Sequence, residues 1–293
     1  MAGRARIPEG HPRSRSRARA RRRFVGAAGV AVAVCIALAA PGFAFASRAT
    51  RGVVVPKLSS GSVTATCPKG EHVSFGGVVA QFQAPPRSGA IVLPEGMRRT
   101  APDRWTVSGT SSSAVTGSRL TAIAYCAQGA VPASTSASVK LEGSSSGSAI
   151  AACPSGTVVV GGGYNAGASP THSEVVVRLD APTARQWRVT ALNISGAATT
   201  LTALAYCARG VAPAVRSTSL TLNAHKGGTA RVNCPKGKSI VFGGLAAHSP
   251  LIGKQNAVVA PFSWTAASNS QWVVTGYNAG DVPGSLEALI YCR

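Results

Sequence analysis

The chain has 293 residues, 30 Lys and Arg against 9 Asp and Glu, a formal charge of +21, seven Cys and 5% aromatic residues. A composition 45% hydrophobic and 13% charged can build a core, which excludes wholesale disorder. One apolar run of near-spanning length occurs, close to the N-terminus, so a bundle of membrane-spanning helices is excluded.

The charge is segregated. Residues 1–46 hold nine Arg and one acid, Glu9, for +8, whereas the other 247 residues hold 21 basic and 8 acidic side chains, for +13. The basic run Arg13–Arg23 leads into the 17-residue apolar stretch Phe24–Ala40. Pro41-Gly42 breaks that stretch, and Ala44-Phe45-Ala46 puts small residues at the two positions a signal peptidase reads. This order predicts a secretory signal over residues 1–46, cut after Ala46, and a secreted or cell-surface product. The alternative is an uncleaved anchor with its basic end inside, because 17 residues lies near the lower limit for a span. In either case membrane contact is expected only through this segment. Arg21-Arg22-Arg23-Phe24-Val25 also matches a twin-arginine signal loosely, so both export routes stay open. Cys35 follows Val34, where a lipoprotein signal needs a small residue, and reads as apolar filler.

Three copies of one unit follow, at approximately 47–128, 129–209 and 210–293. Each opens on Cys-Pro-x-Gly at Cys67, Cys153 or Cys234, with a glycine pair nine and ten residues later: Gly76-Gly77, Gly162-Gly163 and Gly243-Gly244. Each then carries Trp-x-Val at Trp105, Trp187 or Trp272, and closes on Tyr-Cys at Cys126, Cys207 or Cys292. The Trp-to-closing-Cys separations are 21, 20 and 20. Six Cys allow fifteen pairings that spacing alone does not resolve. The repeat selects one bridge per unit: Cys67–Cys126, Cys153–Cys207 and Cys234–Cys292. An oxidising compartment sustains such bonds. A structural zinc site is not expected, since no Cys-x-x-Cys occurs and the five His do not recur between repeats.

Within a unit the pattern is β throughout. Leu201, Ala203, Ala205 and Cys207 alternate with Thr202, Leu204 and Tyr206, and the other closing segments do likewise. Trp187, Val189 and Ala191 alternate with Arg188 and Thr190. Repeat 2 adds candidate strands at Ser138–Glu142, Ser148–Cys153, Thr157–Gly161 and Glu174–Leu179, for six short strands per unit and no helix after the signal. The glycine pairs are expected at a bulge or beneath a Trp ring.

Two all-β architectures fit. The expected one is three tandem antiparallel sandwiches, each with an internal disulfide joining its two sheets. The alternative is a single pseudo-threefold β-prism. The Trp lies 34 to 38 residues after the first Cys, too late for a true immunoglobulin domain. The Cys-Pro-x-Gly opening, the glycine pair and the Leu-x-x-x-x-Tyr-Cys closing resemble repeats of secreted proteins from high-GC Gram-positive bacteria. The repeat ends are also similar to those of the vitelline membrane outer layer protein family, a β-prism. The second resemblance implies the prism; neither implies an activity.

Catalytic constellations are missing from the sequence. The eight acids after residue 46 do not recur across the three repeats, as a carboxylate pair built into the framework would. Glu71-His72 and His172-Ser173-Glu174 are the tight acid–His clusters, and both are expected on solvated turns. No Gly-x-Ser-x-Gly elbow or phosphate-binding loop is present. Clustered acids for calcium are lacking as well. Asn193-Ile194-Ser195 is a glycosylation sequon. The chain is therefore expected to be a non-catalytic interaction protein of the envelope or extracellular space, with no cofactor or metal. A lectin-like, carbohydrate-binding prism is the alternative, and a secreted hydrolase ranks below both. Specificity is expected in the segments that differ between repeats, Gln81–Arg99, Ala166–Glu174 and Leu245–Trp264. Candidate ligand contacts are Arg98, Arg99 and the non-repeat Trp264. The remaining positive charge suits an anionic cell-wall polymer or glycan. Its scatter argues against specific nucleic-acid binding, and oligomeric state is not readable.

Overall fold

The computed structural model describes residues 45–83, 90–111, 117–166, 174–248, 251–252, 255–256 and 259–293. Residues 1–44 of the signal expected over 1–46 lie outside them. Repeat 1 supplies β1 (Ser47–Val55), β2 (Ser60–Thr66), β3 (His72–Ala80), the short β4 (Phe82–Gln83), β5 (Ala90–Ala101), β6 (Arg104–Ser111) and β7 (Ser118–Ala127). Repeat 2 supplies β8 (Ala133–Leu141), β9 (Ser146–Ala152), β10 (Val158–Asn165), β11 (Glu174–Thr183), β12 (Gln186–Asn193) and β13 (Thr199–Ala208). Repeat 3 supplies β14 (Ala214–Leu222), β15 (Gly227–Asn233), β16 (Ile240–His248), the short β17 (Leu251–Ile252) and β18 (Gln255–Asn256), β19 (Val259–Ser268), β20 (Gln271–Asn278) and β21 (Gly284–Cys292).

All pairings are antiparallel, and each large sheet mixes two repeats. Sheet I runs β1-β7-β3-β19-β20-β15, sheet II β2-β6-β5-β10-β13-β8, and sheet III β14-β21-β16-β11-β12-β9. The repeats meet in mid-sheet, at Val78↔Trp264, Met97↔Tyr164 and Leu179↔Leu245. Thus the all-β, three-repeat reading holds, and the strand pairing is that of the pseudo-threefold arrangement. No repeat closes a sandwich by itself, because half of each sheet it joins belongs to a neighbour.

Both predicted devices of the repeat operate in this frame. The disulfides pair as expected, with Cα–Cα distances of 5.8, 5.6 and 5.7 Å. The opening Cys follows a strand of one sheet and the closing Cys lies on a strand of the next, so each bridge ties two sheets. The Gly of each Cys-Pro-x-Gly turn has φ of 87°, 77° and 77°, a region open to glycine at little cost. In the glycine pairs, a Cβ on Gly76, Gly162 or Gly243 would lie 2.1–2.2 Å from the ring of Trp105, Trp187 or Trp272. A Cβ on Gly77, Gly163 or Gly244 would lie 2.2–2.6 Å from a carbonyl of the adjoining repeat, that of Trp264, Met97 or Leu179. One glycine therefore seats the tryptophan and the next admits the neighbouring repeat.

The core fills the space between the sheets. Trp105, Trp187, Trp264 and Trp272 are all buried within it. Met97, Leu179 and Trp264 occupy equivalent register positions, opposite Val107, Val189 and Val274. The Trp264 indole N–H points at the Met97 sulfur at 3.1 Å. Leu93, Val175 and Ala260, from the three central strands β5, β11 and β19, form a smaller apolar cluster.

Candidate functional site

Strand alternation sorts the side chains of sheet III. In β12, Trp187, Val189, Ala191 and Asn193 face the core, leaving Arg188 and Thr190 on the outer face. Antiparallel register then lines up Ser148, Thr190, Arg178, Ala246 and Glu287 in one row across five strands. Arg188 and Asp180 pair directly in the adjacent row. Side chains opposite one another on a sheet face are close enough to interact.

The polar contacts follow from that register. Arg188 clamps Asp180 in a two-pronged pair, its Nε donating to Oδ1 at 2.9 Å and its Nη2 to Oδ2 at 2.6 Å. Arg178 approaches the same carboxylate at 3.9 Å. The Asp180 hydrogen bonds push the Arg188 guanidinium pKa up, against a smaller opposing effect of burial. Two guanidinium groups share one carboxylate, leaving the cluster positive. Ser148 and Thr190 hydroxyls bond at 2.8 Å, and His248 sits 3.9 Å from Glu287. An open cavity of about 340 Å³ lies here, bordered by Ser148, Arg178, Arg188, Thr190 and His248. Forked guanidinium donors beside hydroxyls suit a phosphate, sulfate or carboxylate carried on a hydroxylated polymer.

The expected ligand contacts fall elsewhere. Trp264 is corrected: only 1% exposed, it is a core residue, because its register on β19 turns it inward. Arg98 donates to Asn165 Oδ1 at 2.6 Å and stays partly exposed. Arg99 lies 4.5 Å above the Tyr206 ring and donates to the Pro132 carbonyl; burial lowers its pKa. His72 is buried in β3 rather than placed on a turn, and burial lowers its pKa. Glu71 accepts a hydrogen bond from the Ser47 hydroxyl. His172, Ser173 and the Glu174 side chain lie outside the described residues, as do parts of all three variable segments. Asn193 of the sequon is fully buried, its amide donating to the carbonyls of Glu142 and Ala197, so it is closed to glycosylation in the folded chain. Phe45 and Ala46 precede the expected cleavage point: Phe45 lies against Phe75 and Tyr125, and Ala46, itself exposed, donates its backbone N–H to the Cys126 carbonyl.

Sequence reasoning missed Arg178 and Arg188. Their signal was present as charge at alternate positions of otherwise apolar strands, Val-Arg-Leu-Asp and Trp-Arg-Val. Among the described residues, no group of three or more His, Cys, Asp or Glu side chains is placed to hold a metal, and no helix is long and apolar enough to cross a membrane. The three disulfides fit an oxidising, extracellular environment. The chain matches no family model, and no curated protein matches it.

Proposed function

We propose that the protein is an exported, non-catalytic binding module of the envelope or extracellular space that engages an anionic, hydroxyl-bearing wall polymer through the outer face of sheet III. The excess of guanidinium over carboxylate at Arg178, Arg188 and Asp180, beside the Ser148 and Thr190 hydroxyls, carries this reading. The basic N-terminal segment and its apolar run support export.

A direct test compares immobilised wall polymer having a phosphodiester backbone with a neutral glucan. The native protein should prefer the phosphodiester polymer and lose affinity as salt is raised. Arg178→Gln keeps the Arg188–Asp180 pair and removes the surplus charge, and should weaken binding about five-fold, the worth of one charge-assisted contact. Equal binding to the neutral glucan, unaffected by salt, would replace this reading with the lectin-like one.

A further inference from the structure

Two frames for cutting the leader lie two residues apart. Ala44-Phe45-Ala46 puts small residues at the two positions a signal peptidase reads, and so does Gly42-Phe43-Ala44. Local sequence does not separate a cut before Ser47 from one before Phe45. The tertiary structure distinguishes their products, because it shows where repeat 1 begins.

The three repeats supply the comparison. Ser47, Ala133 and Ala214 each pair with a closing Cys, so Ala46, Pro132 and Pro213 are equivalent, as are Phe45, Val131 and Ala212. Proline has no N–H, so repeats 2 and 3 enter their first strand without a donor at that position. Repeat 1 has one there: the Ala46 N–H reaches the Cys126 carbonyl at 2.7 Å. Val131 and Ala212 are exposed, whereas Phe45 is half-buried and packed on the core. Its ring centroid stands 4.8 Å from that of Tyr125 and 5.9 Å from that of Phe75. Aromatic pairs at these separations add to stability beyond the area they bury. The next two residues continue the attachment, the Ser47 hydroxyl donating to Glu71 and the Arg48 guanidinium lying 6.0 Å from the Tyr125 ring.

Contacts with β3 and β7 therefore run unbroken from Phe45, not from Ser47. A cut after Ala46 would remove both the ring and the donor. Tyr125 and Phe75, 0% and 2% exposed with Phe45 in place, would be opened on that side. We propose that the leader is cut between Ala44 and Phe45, two residues ahead of the expected point, making Phe45 the first residue of the mature protein. Hydrolysis of that amide takes up one water, leaving a carboxylate on Ala44 of the released leader and an ammonium on Phe45. Packing need not steer the enzyme: Gly42-x-Ala44 suffices as a site, and its product is the one whose first repeat is complete. The assignment rests on the export reading and adds which bond is broken.

N-terminal sequencing and intact mass of the protein exported by a bacterial host test this, with one variant aimed at each frame. The native product should begin at Phe45. Ala46→Leu spoils only the frame ending at Ala46 and should leave Phe45 as the first residue; Ala46 is exposed, so the fold accommodates the change. Gly42→Leu spoils only the frame ending at Ala44, and its product should no longer begin at Phe45. An exported native chain that begins at Ser47 or stays uncleaved would overturn the proposal, as would processing lost in Ala46→Leu and intact in Gly42→Leu. Retention of the whole chain in the cytoplasm would overturn export itself and this assignment with it, so the two failures are distinguishable. Urea unfolding of chains made to start at Phe45 and at Ser47 checks the structural premise. The Ser47 chain should show a lower midpoint with an unchanged slope, and Phe45→Ala in the longer chain should reproduce most of that shift. Equal midpoints would overturn the premise and the proposal.

Discussion

At the residue scale, the repeat depends on atoms that are absent. Gly243 has no Cβ because the Trp272 ring occupies that place, 2.1 Å from where the Cβ would sit, and the indole N–H donates to the Gly244 carbonyl at 2.9 Å. The tryptophan cannot withdraw without losing that bond and opening the core. Gly243→Ala should therefore destabilise the protein by about 3 kcal/mol, the upper range for overpacking, visible as a lower urea midpoint with an unchanged slope. The buried tyrosines set a limit of another kind. Burial raises the pKa of Tyr125 and Tyr291, and pushes Tyr206 up to about 12. Unfolded phenols ionise near 10. Above that pH the unfolded chain releases protons that the folded chain retains, which favours unfolding. Stability should be fully present below pH about 10 and should fall as pH rises toward 12. Urea midpoints measured across that window check the sign.

Among the elements, the bulge in each central strand has two consequences. Register shifts at Pro94/Gly96, Val176/Arg178 and Pro261/Ser263 swing the following residues, so that Met97, Leu179 and Trp264 point inward. A second irregularity near Arg99, Asp180 and Ala266 brings a free backbone N–H to the Tyr of the strand two places away. Bulges re-aim side chains in this way while the flanking ladder continues. Every repeat therefore carries the same hydrogen-bonded tyrosine, while the group beside its ring changes from Phe45 to Arg99 to the Phe242 ring. Arg98 and Arg99 show the same logic: neighbours in sequence, they serve different roles because one follows the outer row and the other sits at the irregularity.

For the whole molecule, the decisive feature is that the sheets are shared. Repeat 2 alone contains β8, β10 and β13 of sheet II and β9, β11 and β12 of sheet III, each ending on a raw edge where β5 or β16 should pair. Its interior would also lose the facing sheet. An isolated 129–209 fragment, even with Cys153–Cys207 closed, should show collapsed amide dispersion and no cooperative melt. A bridge of this loop length contributes about 4 kcal/mol, which does not replace the missing strands. The intact chain should melt in one transition, and observing a cooperatively folded fragment would contradict the shared-sheet architecture.

The amino-acid sequence by itself determined the three repeats, their β character and the disulfide pairing, and it narrowed the glycine pairs to a bulge or a place beneath a Trp ring. Each of these is written in local spacing: period-two alternation marks a buried face, and a recurring Cys or Gly marks a constraint within one unit. Only the tertiary structure decided which strand edges join, because the same backbone N–H and C=O groups serve a pairing within a repeat or between two. It also decided the fate of Trp264, a candidate ligand contact because it does not repeat, which fills the interior beside Met97. The surplus charge of Arg178 and Arg188 beside Asp180 arises from the same cause. Residues far apart in sequence become neighbours only once antiparallel register has set them side by side.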